Sequence, residues 1–261
     1  MMAVTTRVVS YAALVYLVLP LTVIVGSSLT TTSFLAFPPQ GVTLAWYGKV
    51  LSDSSYISAF ATSTMLGGAA TLIAVLLAVP AAFAIARYSF PGKHMLSATL
   101  MSPLILPRVV IGAALLQYGA AIGLTRSFNA LLVGHIVIIM PFVLRAVLPQ
   151  LTEEQKSLED ASADLGAGSV TTFFLITLPQ IRSGIVSGAI FAFISSWINV
   201  ELSIFNTTAD LTTIPVKLFN YVQYTIDPTI AAVSSITIFV AAAVIVVLDL
   251  TLGLDVLAER D

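Results

Sequence analysis

Residues 152–179 read TEEQKSLEDASADLGAGSVTTFFLITLP, the one long stretch in which an otherwise lipid-compatible chain turns to water-soluble residues. Of thirteen acidic residues in the protein, Glu153, Glu154, Glu159, Asp160 and Asp164 fall here, so the segment faces water or protein. Thr152-Glu153-Glu154-Gln155 has the pattern of a capping box, which predicts a helix from Glu153 with its first-turn acids at the positive end of the dipole. Leu151, Leu158 and Leu165 recur every seven residues with Ala161 on the same side, an apolar stripe on a short amphipathic helix. Gly166 ends it, because glycine accepts the left-handed conformation that follows a helix C-terminus. A second short helix is predicted with Ser169 as its cap, carrying Val170, Phe173 and Phe174 until Leu178-Pro179 breaks it.

Two helices this short are marginal alone and cannot cover their own apolar faces. Something else must cover them. A helix lying on a bilayer favours Lys and Arg on its polar face, whereas this segment sets Lys156 against five acids. Docking into a protein groove is the expectation.

Outward from this segment the chain is membrane material. Charged residues make up 9% and hydrophobic ones 58% of 261 residues, with mean hydropathy +1.01, where soluble domains carry roughly 25% charge. No charge interrupts the chain between Arg7 and Lys49, ample for the ~20 apolar residues of one span. The first run, Val8 to Val25, exceeds the length of a cleaved signal's apolar region and reads as an uncleaved anchor. Apolar runs predict an all-α integral membrane protein with six spans, at about residues 8–28, 58–86, 96–118, 129–149, 183–205 and 230–252. The whole, 1–261, reads as a single transmembrane domain.

Positive charge sets the orientation. With the N-terminus inside, the cytoplasmic side holds Arg7, Arg87, Lys93, Arg145, Lys156, Arg182 and Arg260, and the far side Lys49, Arg126 and Lys217. Both termini are therefore expected in the cytoplasm. Turn-rich pieces, Pro38-Pro39-Gln40-Gly41 and Asn206-Thr207-Thr208 with Pro215 and Pro228, are expected outside. Gly184 and Gly188, four apart, suggest close helix packing in span five.

The motif Asp160-Ala161-Ser162, then Gly166, then Ile176-Thr177-Leu178-Pro179 resembles the EAA motif of permease subunits of bacterial ABC importers, whose glycine and I-x-L-P spacing it meets in full. The triplet departs from Glu-Ala-Ala. His135 with Pro141 to Arg145, and Pro103 to Gly112, look like the spermidine/putrescine-type branch of these permeases. The resemblance implies the type I ABC importer (MetI-like) permease fold and a cytoplasmic coupling helix-turn-helix between spans four and five. It also implies an ATPase-coupling role for Glu159, Asp160, Ala161, Leu165 and Gly166, with Ile176, Leu178 and Pro179 as a packing edge. Implied partners are a second homologous permease (a heterodimer), a dimeric ATP-binding subunit and an extracytoplasmic solute-binding protein, in the bacterial cytoplasmic membrane.

No chemistry is expected in the chain itself. Gly48-Lys49 and Gly92-Lys93 lack the rest of a P-loop, no hydrolase or zinc-protease motif is present, and His94 and His135 lie too far apart in sequence to suggest a metal site. Without cysteine there is no thiol chemistry. ATP and Mg belong on the partner ATPase; this chain is expected to bind no cofactor.

Ionisable residues inside spans are costly and mark pathways or pairs. Arg108 in span three, and Trp197, Asn199 and Glu201 in span five, are candidates to line a solute path; a structural pair or snorkelling is the competing reading. Asp249 reads as an interface residue. The polyamine-type pattern has acids at the positions matching Arg108 and Ile198-Asn199, where this chain has Arg, Ile and Asn. The solute expected is an amino-acid-like, opine or aminophosphonate compound, or a polyamine. A secondary transporter driven by an ion gradient is the alternative class, disfavoured because no inverted repeat is visible.

Overall fold

The structure is a computed structural model that describes residues 2–252; of the side chains at 2–5, 244–245 and 247–252 nothing is said. Arg260 and the side chain of Asp249 therefore lie outside the described residues. Among the described residues every regular element is helical.

The chain divides into two compact units, residues 1–58 with 218–261, and residues 59–217. In the first, α1 (Met2–Ser28) packs against α12 (Thr229–Leu252), which also meets the short α2 (Ala45–Ser52). Residues 6–22 of α1 are exposed throughout. An apolar helix with nothing covering it has its match in hydrocarbon. Lys49 of α2 ties this unit together: its Nζ donates to Asp227 Oδ2 and to Thr229 Oγ1, each at 3.2 Å, and Tyr221 donates to the same carboxylate oxygen at 2.9 Å.

The second unit holds most of α3 (Ser54–Arg87), then α4 (Lys93–Met101), α5 (Arg108–Ala121), α6 (Phe128–Val147), α7 (Glu153–Asp164), α8 (Ser169–Thr172), α9 (Leu178–Gln180) and α10 (Arg182–Trp197). Its core is one cluster in which Ala70, Ala74, Ala78 and Ala82 of α3 join Ile138, Ile139, Val143, Leu144 and Val147 of α6. Alanine every fourth residue puts one smooth stripe on α3, which permits close helix approach where lipid supplies no hydrophobic drive. The Gly184/Gly188 seam serves the same end for α10. A Cβ on Gly184 would stand 2.7 Å from the Ala146 carbonyl oxygen, and one on Gly188 3.0 Å from Val143 Cα.

Among the described residues three helices, Thr6–Ser28, Ser54–Arg87 and Phe128–Gln150, are long and apolar enough to cross a membrane. Two further predicted spans are not straight. The third breaks between Lys93–Leu104 and Arg108–Ala121 with a bend of 106°, because Pro107 supplies no N–H and its ψ of 127° leaves the helical region. The fifth is shorter than expected: α10 stops at Trp197, so residues 198–205 leave the helix and Asn199 and Glu201 are not on it. Asn199 Oδ1 accepts from Leu202 N at 3.0 Å, a side-chain bond that competes with helix continuation. Among the described residues the apolar run of α12 covers Thr229–Ala243. One element was not anticipated in a turn-rich stretch, the amphipathic α11 (Ile214–Tyr224).

Candidate functional site

Residues 152–179 fold largely as their local chemistry dictates. Thr152 N donates to Gln155 Oε1 at 3.3 Å and Gln155 N to Thr152 Oγ1 at 3.4 Å, the reciprocal pair of a capping box, and α7 runs from Glu153 to Asp164. It ends in a Schellman turn: Ala167 N donates to Ser162 O at 3.1 Å, Gly166 N to Ala163 O at 2.8 Å, and Gly166 has φ +87°.

The second helix differs from expectation at both ends. Gly168 occupies the cap position and Ser169 is the first helical residue. Pro179 does not break the chain. A π-turn over Phe173–Thr177, in which Leu178 N donates to Phe173 O, widens the helix there, relieving the clash of the proline ring with the preceding turn. The bend, 68°, comes after Gln180.

The apolar stripe splits between two destinations. Leu151 is buried, whereas Leu158 is 53% and Leu165 90% exposed. Val170, Phe174 and Leu175 are exposed as well, as are Asp160, Ala161 and Pro179, while Ile176 is half-buried and Leu178 packs on the chain's own core.

Glu159 takes a different place from the other candidates of this segment. Its carboxylate is buried and faces inward. Arg87, the last residue of α3, donates through Nε to Glu159 Oε2 at 2.8 Å and through Nη2 to Oε1 at 3.2 Å. A third guanidinium bond reaches Leu151 O at 3.1 Å, and Thr177 Oγ1 donates to Glu159 Oε1 at 2.9 Å. The two side chains are 7% and 10% exposed. A buried carboxylate is tolerable only with such partners, and deleting one side of a buried pair costs about 3–5 kcal/mol. In the sequence Arg87 is one of the charges that set topology; that two residues 72 apart meet has no local signal.

The pathway candidates form a second cluster. Arg108 begins α5 just past the break; its Nη2 donates to Ser195 Oγ at 3.2 Å, and its Nε lies 4.0 Å from Glu201 Oε2. Both charges are partly exposed, so the contact is a loose pair. Trp197 Nε1 donates to Thr64 Oγ1 at 3.4 Å and its ring meets Phe60 at 6.1 Å. Asn199 is buried, with its oxygen spent on the turn and its Nδ2 without a partner. It shapes the loop more than it presents a group. Asn199 thus holds the turn, whereas Arg108 and Glu201 meet as a loose pair and keep open faces. His135, 1% exposed, shares hydrogen bonds with Ser196 Oγ at 2.7 Å and Ser203 Oγ at 2.9 Å, fastening the loop after α10 to α6. Among the described residues no group of His, Cys, Asp and Glu is placed to hold a metal ion.

Comparison with known proteins agrees with this architecture. No family model matches the chain. The putrescine transport system permease protein PotI of Escherichia coli K12 is 29% identical over 203 residues, 75% of this chain and 72% of that one. The spermidine/putrescine transport system permease protein PotC of Haemophilus influenzae is 26% identical over 231 residues, 88% and 90% of the two chains. The molybdate/tungstate transport system permease protein WtpB of Methanocaldococcus jannaschii is 31% identical over a shorter stretch, 55% of this chain and 61% of that protein. In fold, the chain resembles a chain of a bacterial ABC transporter involved in import of the acidic polysaccharide alginate, with TM-score 0.71, 14% identity and 96% of each chain covered. Relatives matched over 75% and 88% of the chain, and a fold shared over 96% of it, place this protein among multi-pass membrane proteins as a bacterial ABC importer permease of the kind that PotI and PotC represent.

Proposed function

We propose that the chain acts as one six-span permease domain, both termini cytoplasmic, forming half of a translocation path beside a second homologous permease. Residues 152–179 serve as its coupling segment, docked in a cleft of a dimeric ATPase that binds ATP and Mg, while an extracytoplasmic binding protein delivers the solute. The observation that carries this reading is an uncovered apolar surface, Leu158, Leu165, Val170 and Phe174, on a segment too acidic for a bilayer surface. Asp160, Ala161, Gly166 and Pro179 lie in the same exposed segment. Helix α7 is preset by its capping box and a Schellman turn, so docking orders little further chain there.

The solute is a small compound carrying an amino group. Relatives named for putrescine and spermidine favour a polyamine. The Arg108–Glu201 pair, with opposite charges 4.0 Å apart and both partly open, favours a compound that also has an acidic group, amino-acid-like, opine or aminophosphonate.

The test is purification of the chain from native membranes followed by reconstitution in vesicles. A Walker-motif ATPase should copurify, and uptake should require ATP. Competition by polyamines against amino acids and aminophosphonates then sorts the solute. Uptake driven by a proton gradient without ATP, or a chain that carries no ATPase, would end this reading.

A further inference from the structure

Resting on the coupling role proposed for residues 152–179, we infer that Arg87 and Glu159 form the joint through which movement of that segment reaches the transmembrane helices. Glu159, although next to the exposed Asp160, is a positioning residue within its own chain and does not touch the ATPase.

The geometry behind this is specific. Arg87 holds Glu159 with two parallel N–H bonds and Leu151 O with a third, and Thr177 completes the carboxylate. One guanidinium thus grips the chain entering α7, the middle of α7 and, through the shared carboxylate, the π-turn before α9. All three pieces of the coupling segment meet at the end of one helix. A planar fork bound at both prongs resists rotation as well as separation, which a lysine or a single bond would not.

What α3 does at its other end gives the joint a purpose. Thr64 of α3 accepts the indole N–H of Trp197, and the Cβ position of Gly67 lies 3.1 Å from the Phe193 ring. Trp197 closes α10 immediately before the loop that carries Glu201, and Ser195 two residues earlier holds Arg108. From Thr64 to Arg87 a continuous helix covers ~35 Å at about 1.5 Å per residue. Ala70, Ala74, Ala78 and Ala82 give α3 a largely smooth face in the shared core, with Val79 the larger buried side chain beside them, so that α3 can tilt against its neighbours as a body. Displacement of α7 would therefore pull Arg87, and with it the helix that braces Trp197 beside the Arg108–Glu201 pair. Two discrete arrangements of such a packed rod are the physical basis for coupling at a distance.

The experiment uses the complete importer in vesicles, reading uptake and ATP hydrolysis together. Glu159→Gln and Arg87→Lys should each leave the ATPase bound and hydrolysing but lower solute moved per ATP at least ten-fold, and the exchange Arg87→Glu with Glu159→Arg should recover part of it. A second measurement is independent of transport. Because the chain has no cysteine, spin labels at Ser157→Cys in α7 and Ser89→Cys just beyond α3 report one distance. That distance should stay narrow through the ATP cycle in the parent chain and broaden on Glu159→Gln. Unchanged solute per ATP in both single variants, or an unbroadened distance in Glu159→Gln, overturns the inference. Loss of ATPase binding in Glu159→Gln also overturns it, since Glu159 would then be a docking contact. If the parent chain itself binds no ATPase, the coupling reading fails instead.

Discussion

His135 Nε2 stands 2.9 Å from Ser203 Oγ, joining the middle of α6 to a loop 68 residues later in a place with almost no access to solvent. The other ring nitrogen is bonded to Ser196, so the imidazole is fully used. A histidine with both nitrogens engaged by serines is a fastener, which is why it holds the loop whose Glu201 pairs with Arg108.

Replacing it by phenylalanine takes a partner from Ser196 and leaves Ser203 with only a long 3.5 Å bond to Asn199 Oδ1, at a buried site where an unsatisfied hydroxyl costs about 1–3 kcal/mol. Thermal unfolding of the purified chain should show His135→Phe less stable by that amount. Ser203→Ala in the same background should recover part of the loss, because that side of the contact is then apolar while Ser196 still lacks its partner.

Arg108→Ala removes the cation of the proposed path. Uptake should fall at least ten-fold while ATPase copurification is unchanged. Uptake equal to that of the parent chain would remove Arg108 from the solute's contacts and leave it a structural residue.

Gly166→Val should leave membrane insertion intact yet abolish ATPase association. The φ of +87° that closes the Schellman turn is strained for a β-branched residue. Gly168→Ala is the control, since its φ is −73° and a Cβ there meets nothing within 4 Å. Pull-down of the ATPase by both variants decides it.

Gly184→Val should separate α10 from α6. Its first added carbon would lie 2.7 Å from a backbone oxygen, which cannot swing aside as a side chain does. Overpacking of this sort costs about 1–3 kcal/mol. Gly68→Ala, with open space around it, should be neutral in the same thermal assay.

The Lys49–Asp227 tie predicts a pH dependence. Burial acts against the charge of Asp227, but hydrogen bonds from Thr229, Tyr221 and Lys49 outweigh it and hold the carboxyl below its ordinary range. Burial likewise acts against the charge of Lys49, and its bond to Asp227 and the charge there outweigh this and raise its pKa. A depressed acid contributes stability above its unfolded pKa that is lost as pH falls through the folded value; a raised lysine contributes stability that is lost as pH rises through its own. The tie should therefore act between about pH 4 and 10. Because Lys49 is half exposed, the gain is below about 1 kcal/mol. The stability difference between parent and Asp227→Asn should be flat from pH 5 to 9 and vanish on acidification through the lowered Asp227 pKa.

How far the sequence could be read follows from the range of each interaction. Thr152 with Gln155, and Gly166 with Ala163 and Ser162, act over a few residues, so the caps of α7 were legible in the local pattern. The apolar runs were legible too, because a bilayer imposes length and composition on any segment that crosses it. Bends were not. Only the packed structure decides whether a helix absorbs a proline, as α9 does at Pro179, or breaks, as happens at Pro107 between α4 and α5. Arg87 and Glu159 carry no mark that they belong together, and Leu158 and Leu151, one heptad apart, differ in whether the rest of the chain covers them. Composition and short-range chemistry determined a membrane-embedded helical protein with a capped, acidic hairpin. Tertiary packing alone decided which carboxylate turns inward, which leucines remain uncovered and which charges meet, because those outcomes depend on residues brought together from far along the chain.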